Sequence, residues 1–193
     1  MQLSYSTWGM QAVPIDIAVR HCAALGFDGL EMTVCPPWPT HAANLDAAER
    51  RRIRALYDDH GLTLCGLSGN TPLLEPTPGA VAVALARFAG YLDLAAELQK
   101  PGEALTVTTT SGGAPGDWDA VKETLVERFG ALAEHAVRSG VIVGVGPHVE
   151  QALCRPEQAI WLIEQVSSPA LTIHFDVSHF NVQGDDMEAV VAQ

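Results

Sequence analysis

The segment Leu171-Thr172-Ile173-His174-Phe175-Asp176 alternates strictly between apolar and polar side chains. Alternate side chains of a strand point to opposite faces of its sheet, so the segment predicts a strand with one apolar and one polar face. Leu105-Thr106-Val107-Thr108 alternates in the same way. A parallel sheet covered by helices on both faces has almost continuously apolar strands, whereas a barrel admits polar side chains on its inner face. The alternation therefore favours a barrel over an open doubly wound sheet.

Outward from this segment, the chain repeats a short apolar strand, a polar loop, an amphipathic helix and a glycine. Arg138-Ser139-Gly140, for example, leads directly into the apolar Val141-Ile142-Val143. Glycine just past a helix end adopts the left-handed conformation that closes the helix. The pattern predicts strands near 2–7, 27–32, 62–67, 104–110, 141–146 and 170–176. It predicts helices near 14–25, 46–60, 78–99, 117–139, 156–166 and 185–193.

These elements make six βα units in 193 residues, about 32 residues per unit, which suits a βα repeat. We therefore predict an α/β protein of the (β/α)8 TIM-barrel type. A complete barrel has about 250 residues, so this one is expected to be incomplete and to lack the last two βα units. No linker or composition shift divides the chain, which predicts a single domain over residues 1–193.

Composition excludes several classes of protein. A chain that is 48% hydrophobic and 18% charged is an ordinary globular mixture rather than a disordered one. A net charge of −12 argues against a nucleic-acid partner. The first ten residues do not resemble a secretory signal, and no run of about 18 apolar residues predicts a membrane span. Four cysteines without CxxC spacing are expected to be reduced packing residues, so we predict a cytoplasmic protein.

Polar residues gather where the predicted strands end. The positions are Trp8, Glu31, Ser68, Asn70, Thr108 to Ser111, His148, Asp176 and His179. The carboxyl ends of barrel strands meet at one face, which is the face that carries the active site in TIM-barrel enzymes. A single polar residue there can have a structural role, so it is the clustering that indicates a functional site. Trp8, Trp38 and Trp118 each have an indole that can stack on the apolar face of a ligand or can equally pack in the core or in a loop.

Three motifs in this order resemble the xylose-isomerase-like TIM barrel superfamily, which includes sugar phosphate isomerases and epimerases and AP endonuclease family 2. They are the second-strand segment Gly26-Phe27-Asp28-Gly29-Leu30-Glu31, the fifth-strand segment from Gly140 to His148, and the sixth-strand segment Phe175-Asp176-Val177-Ser178-His179-Phe180. The resemblance implies divalent-metal-assisted proton transfer alpha to a carbonyl through an enediolate. The implied metal is Mn²⁺, Mg²⁺, Co²⁺ or Zn²⁺, and the implied substrate is a small sugar or sugar phosphate.

The resemblance also implies roles for individual residues. Asp176 matches the family's metal-binding aspartate on strand six. His179 matches a histidine that contacts substrate in epimerase-like members, and Glu31 matches the conserved carboxylate of strand two. Glu31 and His179, together with Trp8 and His148, form the expected substrate-binding set.

The chain departs from the family pattern in two places. Gly146 stands where the strand-five glutamate is expected, so the catalytic carboxylate has no counterpart there. Glu150 could replace it only if the following loop folded back. The strand-seven histidine and strand-eight glutamate fall beyond the six predicted units. An alternative hypothesis is therefore a catalytically incomplete or degenerate barrel, either a fragment or a binding protein. Open edges on strands one and six would favour a homo-oligomer.

Overall fold

A computed structural model describes residues 1–192. Its centre is a six-stranded parallel sheet in which the strands follow one another in chain order. The strands are β1 (Ser4–Ser6), β2 (Gly29–Thr33), β3 (Thr63–Ser68), β4 (Thr106–Thr110), β5 (Ile142–Gly146) and β6 (Leu171–Ile173). The helices are α1 (Ile15–Ala24), α2 (Ala47–Asp59), α3 (Pro78–Leu98), α4 (Trp118–Ser139), α5 (Pro156–Val166), α6 (Val177–Val182) and α7 (Met187–Val191). The predicted six βα units of an incomplete TIM barrel are confirmed.

The helices cover one face of the sheet, and the hydrophobic core lies between them and the strands. Leu30, Leu67, Val107 and Val143 on the strands are fully buried. Helices α2, α3 and α4 contribute large buried aromatic side chains to the helical layer, among them Tyr57, Phe88 and Phe129. At the end of α4, Gly140 takes the predicted left-handed conformation at φ 68° and turns the chain into β5.

The opposite, inner face of the sheet is polar. Glu31, Thr106 and Thr110 are half-buried there, and Thr172 and His174 are exposed. These residues occupy alternate strand positions or directly follow a strand, so the alternation that favoured a barrel is confirmed.

Strands β1 and β6 form the two edges of the sheet, and within residues 1–192 they do not pair with each other. Apolar side chains lie exposed near both edges, Leu3 and Tyr5 by β1 and Phe175 and Val177 after β6. An unpaired strand edge presents free backbone donors and acceptors to a further strand.

The predicted end of strand six, near residue 176, is wrong. β6 ends at Ile173 and not at residue 176. Asp176 begins α6 instead, because its side chain accepts a hydrogen bond from the Ser178 backbone N–H. Phe175, expected on the apolar face, is 46% exposed and stacks on Phe180. The helix predicted over 185–193 differs too: among the described residues of this range the helix is Met187–Val191, and residue 193 lies outside the described residues.

One cysteine and one helix also differ from expectation. Cys22, Cys35 and Cys154 are buried as predicted, but Cys65 is exposed. Helix α3 is long and apolar enough to cross a membrane by length and composition alone. The core helix of a soluble protein passes the same test, and Phe88, Tyr91 and Leu92 of α3 are buried in this fold. The absence of a membrane partner therefore stays a prediction.

Candidate functional site

A cavity of about 490 Å³ opens at the carboxyl ends of the strands, which is the face that the sequence predicted. It is lined by residues from all six βα units: Ser6, Trp8, Glu31, Ser68, Asn70, Thr108, Thr109, Thr110, Gly146, Pro147, His148, Gln151, His174, Asp176 and His179. The structure thus brings together the five predicted site residues Trp8, Glu31, His148, Asp176 and His179, whereas Ser111 and Glu150 are not among the lining residues of the described chain. No arginine or lysine appears among these lining residues of the described chain.

The side of the cavity formed by β1 and β2 is held by strand register. Ser6 pairs with Glu31 across the two strands, and its hydroxyl donates to Glu31 Oε2 at 2.5 Å. The same hydroxyl oxygen accepts a hydrogen bond from the Trp8 backbone N–H at 3.1 Å. Ser6 therefore orients both the carboxylate and the turn that carries the indole.

Trp8 is supported from below by a second tryptophan. Its ring stacks on Trp38 with a centroid distance of 4.5 Å and an interplanar angle of 24°. Trp38 is buried, and its indole N–H donates to the Thr7 carbonyl oxygen at 2.7 Å. Trp8 itself stays 47% exposed. This arrangement leaves one indole face of Trp8 exposed at the cavity mouth.

The side formed by β5 and β6 carries imidazoles. His148, in the loop after β5, and His179, on α6, contact each other with ring centroids 4.0 Å apart. Burial, followed by the charge of His179, lowers the pKa of His148 below its ordinary value. The Glu150 backbone N–H donates to His148 Nδ1 at 3.2 Å, which leaves Nε2 to carry the proton of the neutral ring.

Asp176 is largely occupied by its own helix. Its Oδ1 accepts hydrogen bonds from the backbone N–H and the hydroxyl of Ser178, at 2.9 and 2.6 Å. Its Oδ2 lies 3.7 Å from His179 Nε2. Burial alone would raise the pKa of Asp176, but the Ser178 hydrogen bonds and the His179 charge outweigh it and lower that pKa.

His174 is a cavity residue to which sequence reasoning assigned no role. It directly follows β6, and its backbone N–H donates to the Val145 carbonyl oxygen at 2.9 Å. A Cβ atom built on Gly146 would lie 3.6 Å from His174 Nδ1. The imidazole therefore faces the bare end of β5, that is, the backbone at Gly146, which has no side chain. The alternation of strand six had placed His174 on the polar face, which was the only signal.

The residues present do not fit a resident divalent metal. Gly146 offers no side-chain donor, and one oxygen of Asp176 already caps α6. Within residues 1–192, no group of three His, Cys, Asp or Glu side chains is arranged to hold an ion. Glu150 is exposed and is not among the cavity-lining residues of the described chain. Asp176 as a metal ligand therefore stays a prediction.

Comparison with known proteins identifies the fold. Residues 19–193 match the family model described as xylose isomerase-like TIM barrel. No match was found among curated proteins. A xylose isomerase-like TIM barrel protein from Mycobacterium smegmatis in complex with magnesium is 18% identical with a TM-score of 0.72, and the match covers 93% of this chain and 65% of that one.

Two sugar epimerases have similar structures. D-psicose 3-epimerase with D-tagatose from Clostridium cellulolyticum H10 is 18% identical with a TM-score of 0.83, covering 100% of this chain and 69% of that one. The 3-keto-D-glucoside 4-epimerase from E. coli is 16% identical with a TM-score of 0.81, covering 100% and 74%. At these identities the likeness shows the fold. The chain spans less than two thirds of the length of the M. smegmatis protein.

Proposed function

The chain belongs to the xylose isomerase-like TIM barrel family, and from this premise we propose that it serves sugar isomerisation or epimerisation. Its cavity binds a small sugar or sugar phosphate. The observation that carries the proposal is the convergence of Trp8, Glu31, His148 and His179 on one cavity at the carboxyl ends of the strands. An indole face, a carboxylate and imidazole nitrogens are the groups that bind a polyhydroxylated carbonyl compound.

The chemistry proposed for this cavity is proton transfer alpha to a carbonyl. Glu31, whose carboxylate the Ser6 hydroxyl orients, removes the proton from the carbon beside the carbonyl. The electron pair of the broken C–H bond forms the double bond of an enediolate. Imidazole N–H groups of His148 and His179 stabilise the charge that develops on the former carbonyl oxygen. Delivery of the proton to the former carbonyl carbon, with transfer of a proton between the two oxygens, completes an isomerisation. Return of the proton to the original carbon on its opposite face completes an epimerisation.

The metal that the family implies has no step in this proposal, because the residues present do not hold it. The M. smegmatis relative contains magnesium, so a divalent ion remains an expectation for the family. Mn²⁺, Mg²⁺, Co²⁺ and Zn²⁺ remain the candidates, with Asp176 as the expected ligand.

A second candidate function is sugar binding without catalysis. Gly146 favours it, because the strand-five carboxylate of the family pattern is replaced by a residue without a side chain. In that case the same cavity binds the sugar, and Glu31 orients it through hydrogen bonds without moving a proton. We also propose that the free edges of β1 and β6 pair with a second copy of the chain. A single domain over 1–193, a cytoplasmic location and the absence of a nucleic-acid partner stay predictions.

Solvent exchange separates the two functions. The purified protein is incubated with D-tagatose or D-fructose in D₂O, with and without added Mg²⁺, and deuterium at the carbons beside the carbonyl is followed by NMR. Uptake that exceeds the protein-free rate and is lost in Glu31→Gln supports proton transfer. Binding of the ketose without uptake supports the non-catalytic alternative. If the protein shows neither binding of a ketose nor deuterium uptake into either ketose, the proposed function is contradicted.

A further inference from the structure

We infer that His174 is a substrate-binding residue, and that with the bare end of β5 it forms a subsite for a hydroxyl group of an uncharged polyol. The inference rests on the proposed function and narrows its substrate to an unphosphorylated sugar. Neither the family motifs nor the strand-five position of Gly146 assigns this role to His174.

Two glycines make room for the His174 side chain. Gly144 and Gly146 are alternate residues of β5, so both would direct a side chain to the inner face. A Cβ on Gly144 would lie 3.5 Å from His174 Cβ, and a Cβ on Gly146 would lie 3.6 Å from His174 Nδ1. The imidazole therefore lies over a strand that presents only backbone at these positions.

This arrangement links the loss of the carboxylate at position 146 to the presence of His174. A glutamate at 146 would extend into the space that the imidazole faces. With glycine there, the nearest polar side-chain atom is a histidine nitrogen. The His174 ring makes no side-chain hydrogen bond to the described protein residues, and it is exposed toward the cavity. It is therefore free to bind a ligand.

The chemistry of the lining determines which ligand group fits. A neutral imidazole has one N–H donor and one acceptor nitrogen, which matches a hydroxyl group that both donates and accepts. Glu31 and Asp176 line the same cavity, and no arginine or lysine of the described chain does. A phosphate or carboxylate would meet two carboxylates and no fixed cation, so an uncharged hydroxyl is favoured.

The neighbouring strand supplies a second polar group beside Gly146. Thr110 pairs with Gly146 in the β4–β5 register and lines the cavity. Its hydroxyl oxygen is buried and has no hydrogen-bond partner in the described protein. Another staggered rotamer about the Cα–Cβ bond would reposition this hydroxyl so that it donates a hydrogen bond to a ligand in the cavity.

The experiment measures the Kd for D-tagatose and for D-fructose 6-phosphate by NMR titration. In the unmodified protein we expect D-tagatose to bind at least about tenfold more tightly than the phosphorylated sugar. His174→Ala is expected to raise the Kd for D-tagatose about tenfold, the effect of losing about one net hydrogen bond to the ligand. His174→Asn keeps a donor and an acceptor near the Nδ1 position, so it should stay within about threefold of the unmodified protein.

His21→Ala is the matched control, since His21 lies exposed on α1 away from the cavity. Circular dichroism confirms that each variant is folded. If the unmodified chain binds D-tagatose and His174→Ala binds it equally well, the subsite is overturned and the proposed function stands. Tighter binding of the phosphorylated sugar overturns the uncharged-substrate class. If neither sugar binds to the unmodified chain, the proposed function fails together with the subsite.

Discussion

The two sides of the cavity are built differently. On the β1–β2 side, Ser6, Glu31 and Trp8 are tied together by two hydrogen bonds, and Trp8 rests on a buried Trp38. On the β5–β6 side, β5 presents backbone alone at Gly144 and Gly146, and β6 is only three residues long. The polar groups of the β5–β6 side come from the segments that follow these two strands.

The difference shows where the site is fixed and where it can change. Side chains locked by strand register and stacking keep one geometry when a ligand arrives. The imidazoles of His148 and His179 contact each other, and His179 belongs to a helix of six residues. We infer that the β1–β2 side positions a ligand and that the β5–β6 side determines which ligand is accepted.

The largest effect is expected when the support of the β1–β2 side is removed. Trp38→Ala deletes a buried indole, its stacking with Trp8 and its hydrogen bond to Thr7, so it should lower the free energy of unfolding by about 3–5 kcal/mol. Urea denaturation measures the loss. Trp161→Ala is the control in the helix layer, because Trp161 is only half-buried and lies outside the cavity. Equal losses in the two variants would contradict a special role for Trp38.

The sequence predicted these two sides unequally. Six βα units and the cluster Glu31, His148, Asp176 and His179 followed from alternation and from polar residues at strand ends, which are local signals. The end of β6 could not be predicted from these local signals. The alternation runs on to Asp176, but the backbone leaves the strand after Ile173 because the Asp176 carboxylate caps α6.

Contacts between distant positions could not be derived either. The Trp8–Trp38 stack joins residues 30 apart in the chain, and the His148–His179 contact joins residues 31 apart. His174 lay on the correct face of the predicted strand, but its role depends on two glycines of the neighbouring strand. A single sequence does not show which strand positions become neighbours until the register is known.

A pair of glycine variants sharpens the comparison on the β5–β6 side. Gly144→Ala would place a methyl group 2.9 Å from Thr106 Cγ2, so it should cost about 1–3 kcal/mol of unfolding free energy. Gly146→Ala is its matched partner on the same strand and face, where the nearest atoms lie at an ordinary 3.6 Å. We expect Gly146→Ala to change stability by less than about 0.5 kcal/mol while weakening D-tagatose binding. A large stability loss in Gly146→Ala would show that β5 is packed along its whole inner face.

The smallest expected effect is on the titration of His148. Burial, and then the charge of His179, lowers its pKa below the ordinary 6.5. As the pH falls from 6.5 towards the folded pKa, the unfolded chain takes up a proton at this residue and the folded chain does not, so the free energy of unfolding falls over that interval. Below the folded pKa the loss caused by His148 stays constant. Following the imidazole Cε1–H signal by NMR gives that pKa directly.

Two variants of the neighbouring ring separate the causes of this shift. His179→Phe keeps His148 covered but removes the charge, whereas His179→Ala removes both the charge and the cover. Since burial is the larger cause, the pKa of His148 should rise in both variants and rise further in His179→Ala. An unchanged pKa in His179→Ala would mean that the two rings do not contact each other in solution. The β5–β6 side would then lack the contact between His148 and His179, and the contrast with the β1–β2 side would be larger than the structure indicates.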